Sequence, residues 1–241
     1  MKLHTIASGS KGNCYVVEYG KRFIILDAGA KISEIMQVVK YKPSAVIGAF
    51  ITHQHLDHCS GIRPLIKAGI HVYIPQDVFD SQHLKKRYNI HILREGHMTK
   101  PRKHNDIRVL PFEVVHDVTN YGYLFKVGNK KIVYITDTSM IPVKFSGIST
   151  FIVECNFETD NLLASSLDER VKSRIAETHM SVEVLEQYVK DMDKDNLHNI
   201  VLAHISAERG HNKKMIRTIK QAANNSHVKV EIAQKGSVIR L

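Results

Sequence analysis

The sequence predicts an α/β protein in which helices cover the outer faces of stacked sheets. Three observations predict it. Short β-branched and aromatic runs bounded by turn residues recur along the chain, segments of helical spacing fall between them, and no repeat, low-complexity tract or Pro-rich linker divides the 241 residues. One domain over residues 1–241 is therefore expected.

In chain order, Tyr15 to Glu18, Phe23 to Leu26, Ala45 to Ile51 and Ile70 to Ile74 read as strands, with Ile32 to Val39 and Gly61 to Ala68 carrying helical spacing between them. Ile107 to Phe112, Gly122 to Val127 and Lys131 to Ile135 continue the strand content, the last two joined by a turn at Gly128-Asn129. Phe151-Ile152-Val153-Glu154 and Ile200 to Ala203 are further apolar strands. Between them, Asn156 to Thr178 is polar and lacks apolar periodicity, so it is expected as a partly helical loop, a lid near the site or a subunit contact. Val184, Leu185, Tyr188, Val189 and Met192 share one helix face, as do Met215, Ile216, Ile219 and Ala223, and both stripes read as core.

Composition narrows the class. Hydrophobic residues make up 43% of the chain, yet no apolar run approaches the roughly 18 residues of a membrane span, and Met1-Lys2-Leu3-His4 lacks the apolar core of a secretory signal, so a cytoplasmic location is expected. Cys14, Cys59 and Cys155 are odd in number and widely spaced, which excludes a disulfide framework or a Cys-rich zinc knot and leaves reduced, buried thiols. The net charge of +10 favours anionic partners. Its dense runs, Lys85-Lys86-Arg87 with Arg94, Lys100, Arg102 and Lys103, then Lys213, Lys214, Arg217 and Lys220, read first as a solvated face.

The chemistry sits in Thr52-His53-Gln54-His55-Leu56-Asp57-His58, directly after the apolar run that ends at Ile51. Clustered imidazoles and a carboxylate need partners that satisfy them, and a metal ion supplies that partner. His53 and His55, two apart, can point the same way in an extended segment, while Asp57 and His58 past the bend can serve a second metal. His116, Asp137 and His204 each follow an apolar strand, where side chains reach a sheet edge. Together they make a ligand set.

With these residues in view, the chain resembles the metallo-β-lactamase superfamily over nearly its whole length. The signature His-x-His-x-Asp-His falls on His53, His55, Asp57 and His58, and the later ligands on His116, Asp137 and His204. The resemblance implies an αβ/βα sandwich of two stacked mixed sheets with outer helices, and two Zn2+ ions, with Mn2+ as the alternative, at one edge. It implies that His53, His55 and His116 hold one metal, that Asp57, His58 and His204 hold the other, that Asp137 bridges them, and that Asp27 orients ligands. Glu154, His179 and His204-Ile205-Ser206 resemble the corresponding series of RNase Z, in which the glutamate and extra histidine protonate the leaving group. No segment has the character of the long tRNA-holding arm of that branch. Ala7-Ser8-Gly9-Ser10-Lys11-Gly12-Asn13-Cys14 resembles a smaller branch that includes WalJ-type exonucleases and phage anti-Pycsar cyclic nucleotide phosphodiesterases, and its small residues can let a backbone loop approach the metals or a phosphate.

The expected function is a dinuclear zinc phosphodiesterase. Asp57 serves as a ligand that also orients water, and His179, held by Glu154, serves as general acid. The expected substrate is first a cyclic mononucleotide, since no nucleic-acid clamp is inserted, and next a single-stranded DNA or RNA, for which the +10 charge argues. Another metal-dependent hydrolase or a non-catalytic binding protein stands behind these. The expected partners are a nucleotide or nucleic-acid substrate and a second copy in a homodimer, with no membrane.

Overall fold

The protein, described by a computed structural model, is built from two sheets. The structure describes residues 1–101 and 104–241; Arg102 and Lys103 of the basic run lie outside the described residues.

The first sheet carries β1 (Lys2–Ala7), β2 (Cys14–Tyr19), β3 (Arg22–Leu26), β4 (Val46–Phe50), β5 (Val72–Ile74), β6 (Ile90–Ile92) and the chain's last strand, β13 (Val238–Arg240), in the order β13-β1-β2-β3-β4-β5-β6. The second carries β7 (Ile107–Val114), β8 (Asn120–Val127), β9 (Lys130–Ile135), β10 (Thr150–Glu154), β11 (Asn199–Ala203) and β12 (Lys229–Ile232), in the order β12-β11-β10-β9-β8-β7. In each sheet hairpin-connected antiparallel strands give way to a parallel run: β3 to β6 in the first, β9 to β12 in the second. Parallel strands buried on both faces read as continuous apolar runs, and β4, β10 and β11 are buried at every position.

Alternation along each strand sorts the side chains into layers. Ile24, Leu26, Tyr134, Ile152 and Val201 point between the sheets, where Phe50 stacks on Tyr73 and meets Phe125 edge-on. Their neighbours Phe23 and Ile25 point outward under α1 (Ile32–Val38), α3 (Ile62–Lys67) and α4 (Gln76–Ser81). On the opposite outer face Val133, Val153 and Leu202 pack under α7 (Val182–Asp191) and α8 (Asn212–Ala223), through the Leu185–Val189 and Met215–Ile219 stripes. The architecture is the expected sandwich, helix layers outside and two mixed sheets inside.

Several elements differ from the periodicity. Lys2–Ala7 forms β1 although its Lys-Leu-His-Thr-Ile-Ala pattern is no β-branched run; pairing on both sides, with β13 and β2, supplies what propensity does not. Pro43–Ala45 makes a 3-10 turn ahead of β4, consistent with the fixed φ of Pro43 at its start. The Ile70–Ile74 run is strand only from Val72, because the Ile70 N–H closes α3 on the Leu65 carbonyl. Within the polar 156–178 stretch stand two helices, α5 (Thr159–Ala164) and α6 (Glu169–Thr178), the latter capped by Asp168, whose carboxylate accepts from the Arg170 N–H.

The basic runs that are described, Lys85 to Arg87, Arg94, Lys100, Lys213, Lys214, Arg217 and Lys220, are all exposed. Cys14, Cys59 and Cys155 are buried free thiols, and burial holds each above the ordinary thiol range. Among the described residues no helix is long and apolar enough to cross a membrane.

Candidate metal centre

The carboxyl ends of the parallel strands open along one edge, where ligand sites of α/β sheets form. Asp27 follows β3, His53 follows β4 after Ile51 and Thr52, Asp137 follows β9 after Thr136, Glu154 ends β10 and His204 follows β11. Asp27, Asp137 and His204 have φ of 57°, 50° and 50°, a left-handed turn that throws each side chain back over the edge. Asp and His tolerate that region better than branched residues, and such geometry clusters at functional sites.

The HxHxDH segment bends at once into α2 (Leu56–Cys59), so its ligands split into two directions. His53 Nε2 and His116 Nε2 lie 3.1 Å and 3.3 Å from His55 Nδ1, three ring nitrogens converging on one point. On the other side His58 Nε2 stands 3.3 Å from both Asp57 Oδ2 and Asp137 Oδ2, and His204 Nδ1 stands 2.6 Å from Asp137 Oδ1. Asp137 lies between the two groups, its Oδ2 3.8 Å from His53 Nε2. His179 is drawn in from the end of α6: its Nδ1 is 2.6 Å from Glu154 Oε1, and its ring centroid is 5.2 Å from that of His204. The ligand residues, Glu154 and His179 expected from the sequence all meet at this edge.

The profile of the Metallo-beta-lactamase superfamily matches residues 7–149, which include Asp27, the whole HxHxDH segment, His116 and Asp137. The chain belongs to the metallo-beta-lactamase superfamily. This superfamily member is 28% identical over 221 residues to exodeoxyribonuclease WalJ of Streptococcus pneumoniae, a match covering 86% of this chain and 82% of WalJ. It is also 28% identical over 130 residues to ribonuclease Z of Thermococcus kodakarensis, covering 48% of this chain and 41% of that enzyme. Among solved structures, the metallo-beta-lactamase fold protein YhfI from Bacillus subtilis superposes with a TM-score of 0.74 at 19% identity over 98% of both chains, which speaks for the fold alone. The protein is thus a metallo-beta-lactamase-fold hydrolase related to nucleases.

The electrostatics of this superfamily member divide the cluster in two. Burial, with His58 close by, holds His53 well below the imidazole range, and burial likewise lowers His116, so both present neutral rings. Burial works against a charged His58 and His204 as well, but there the carboxylates win: Asp137 and Asp27 hold His58 well above its ordinary value, and Asp137 and Glu154 push His204 up to about 10. Against its own burial, Asp137 is held well below the carboxylate range by His204 and His58. The side chains by themselves therefore collect positive charge around Asp137. His204 Nδ1, buried and close to that carboxylate, meets no partner at hydrogen-bonding geometry. Converging nitrogen and oxygen donors with an unsatisfied ring nitrogen among them fit a divalent metal ion.

Around the cluster, partners fix the rings. Asp27 is wholly buried; its Oδ2 takes His58 Nδ1 at 2.9 Å and the Tyr134 hydroxyl at 2.6 Å, and its Oδ1 takes the Thr52 N–H at 2.8 Å. Thr52 Oγ1 meets His53 Nδ1 at 2.9 Å, and the Thr178 carbonyl accepts from His116 Nδ1 at 3.1 Å.

Two residues at the site carry no clear mark in the sequence. Asn13, in the small-residue motif, is buried with Nδ2 2.9 Å from His58 Nε2; its orientation is set by Gly9 N and the Tyr15 hydroxyl, which both donate to Oδ1. The signal is the motif itself, which suggests a close backbone approach but no side chain. Asp117, adjacent to His116, has Oδ1 3.2 Å from His116 Nε2 and 3.6 Å from His55 Nε2, and its Oδ2 faces Arg174 of α6 at 3.5 Å. Position next to a ligand is its only signal.

Proposed function

We propose that the protein is a dinuclear zinc phosphodiesterase that cleaves nucleic-acid strands, with single-stranded DNA first. The observation that carries the catalytic reading is a buried carboxylate, Glu154, holding a partly exposed imidazole, His179, against a cluster of seven candidate ligands. In this reading His53, His55 and His116 hold one ion, Asp57, His58 and His204 the other, and Asp137 both. Zn2+ is the expected ion, with Mn2+ as the alternative.

Such a pair of ions supplies polarisation of the phosphoryl oxygens and a lowered water pKa. Everything else falls to the chain. Asp57, the most exposed of the second ligand group with a side chain 26% accessible, orients the attacking water and accepts its proton. His179 keeps Nδ1 on Glu154, which leaves Nε2 to deliver a proton to the departing oxygen. The two groups tune each other for proton delivery. Glu154 outweighs burial to raise the His179 pKa, and His179 outweighs burial to lower that of Glu154, so each favours the charged form of the other.

A polynucleotide is favoured over the cyclic mononucleotide first expected because WalJ, matched across most of both chains, is an exodeoxyribonuclease, and because exposed Lys and Arg give the surface a positive field suited to a phosphate backbone. Cyclic mononucleotides keep second place, since the same ligand cluster serves either ester. A cytoplasmic protein, folded as one domain over 1–241 and acting as a homodimer, completes the proposal; the inter-sheet core, drawn from both halves of the chain, supports the single domain.

The test incubates the zinc-loaded protein with single-stranded DNA, single-stranded RNA and a panel of cyclic mononucleotides at two salt concentrations, following products by chromatography. Shortened DNA, with binding that weakens steeply as salt rises, is the expected result. Linear mononucleotides from the cyclic panel with intact polynucleotides would replace it by the second reading. Sedimentation of the same preparation checks the dimer.

A further inference from the structure

Beside the candidate centre lies a cavity of about 540 Å³ between α5, α6 and α7, and His179 is part of its wall. The same ring stands 5.2 Å from His204 and 6.0 Å from His116, centroid to centroid. One imidazole therefore separates the ligand cluster from the cavity. We propose that this cavity seats the nucleoside that departs when the phosphodiester is cleaved. The inference rests on the phosphodiesterase reading above and adds to it where the leaving fragment goes.

Geometry is the first argument. A general acid must lie within hydrogen-bonding reach of the oxygen it protonates, so the leaving fragment has to sit on the His179 side of the phosphorus. The cavity is bounded there by Phe157 and Leu162 at its floor, Leu163 and Ala176 from the two lid helices, and Val184 from α7. Its size falls in the range that encloses a small organic ligand. Chemistry is the second. Apolar walls suit the faces of a base, and Ser139 and Ser173 supply hydroxyls for its polar edge. Leu163, though 63% exposed, sits on the rim, where a stacked base would cover it.

The lid helices are tied in place. Lys172 of α6 donates to the Leu163 carbonyl at 2.9 Å and pairs with Glu169 at 2.9 Å, joining α6 to the end of α5. In the step itself, a water oxygen bonds to phosphorus while the bond from phosphorus to the nucleoside oxygen breaks. The proton of His179 passes to that oxygen, and the proton of the water passes to Asp57. The neutral nucleoside hydroxyl is left in the cavity.

The experiment compares dithymidine phosphate with the methyl esters of thymidine 3′- and 5′-phosphate, which offer the same phosphodiester; the ester whose methyl group replaces the departing nucleoside releases methanol and serves as the reference. Ala176→Trp fills the cavity from an exposed position on α6, and Leu163→Ser removes a rim wall without touching the core. In each variant kcat/KM for the dinucleotide relative to the methyl ester is expected to fall, by about tenfold for the tryptophan, the scale on which a filled pocket discriminates. An unchanged ratio in both variants, with the wild type cleaving all three, overturns the pocket and leaves the phosphodiesterase reading standing. A zinc-loaded wild type that cleaves none of them overturns that reading instead.

Discussion

His179 donates through Nδ1 to Glu154 Oε1 at 2.6 Å, and the carboxylate that receives it is wholly buried. Glu154 is itself held from three sides: Oε2 accepts the N–H groups of Thr138 at 2.9 Å and Met180 at 3.3 Å, and Oε1 accepts Asn156 Nδ2 at 3.2 Å. An ion so anchored cannot follow the ring; the ring must come to it. His179 ends α6, where its N–H closes the helix on the Ile175 carbonyl, so α6 and the buried acid together fix the position of the ring.

Removing the ring should separate chemistry from metal binding. His179→Ala is expected to keep its metal content, measured by plasma mass spectrometry, while turnover of phosphodiesters falls by about 10²–10⁴-fold, the range of a positioned general acid. Undiminished single-turnover rates would remove His179 from that role.

The ligand positions should fail differently. In His55→Ala and Asp137→Ala, bound metal and activity are expected to fall together, with Asp137→Ala losing more because its carboxylate lies between both groups. A full complement of two ions in either variant contradicts the assignment.

Asp27→Asn tests the support of His58. Asparagine tolerates the left-handed φ of 57°, so the backbone is spared, but it withdraws charge from His58 Nδ1, the Tyr134 hydroxyl and Thr52. Metal affinity should drop by about 10–100-fold. Because a buried hydrogen-bonded charge is lost, urea unfolding should show a cost of about 1–3 kcal/mol. Competition with a chromogenic chelator reads the first, and wild-type affinity would show that His58 needs no such anchor.

Gly29 lets the Asp27 loop lie against α2. A Cβ there would stand 1.6 Å from the Asp57 carbonyl oxygen and 2.6 Å from Asn13 N, backbone atoms joined by the Asn13 N–H to Asp57 carbonyl bond of 2.7 Å. Gly29→Ala should therefore lower the melting temperature, by the equivalent of about 1–3 kcal/mol, and weaken metal binding. A variant with normal Tm and normal metal content would mean the loop can retreat freely.

The protons around Asp137 predict a pH dependence for the metal-stripped protein. His58 and His204 are raised in the folded state, so their contribution is present below the ordinary imidazole pKa of roughly 6.5 and is lost as pH rises through about 10, the His204 value. Asp137 is lowered, so its contribution is present above about 4 and is lost as pH falls further. Thermal melts in chelator should peak in Tm between those limits and decline on the alkaline side, where added zinc should restore the most stability because the ligands have given up their protons. A Tm that climbs steadily from pH 6 to 10 in chelator would contradict the assigned protons.

Much of this protein was legible in the chain. Continuous apolar runs such as Val46–Phe50 and Thr150–Glu154 announced strands buried on both faces, and the HxHxDH segment with His116, Asp137 and His204 announced a ligand set, because ligand chemistry resides in residue type and strand ends are marked by where apolar runs stop. Helices α5 and α6 were less legible, since their polar faces meet solvent and the apolar side chains they use line a cavity rather than a periodic core stripe. Asn13 and Asp117 had only the faint signals of the small-residue motif and of position beside His116, and the Lys172 tie had none, because their roles depend on contacts that the fold creates. Residue identity and local pattern by themselves determined the buried central strands, the candidate ligands and the α/β class. Only the tertiary structure decided that β3, β9 and β11 end in left-handed turns that set Asp27 and Asp137 on opposite nitrogens of His58 and His204 against Asp137, because that convergence depends on strand order and sheet stacking, which are settled by packing across the whole chain.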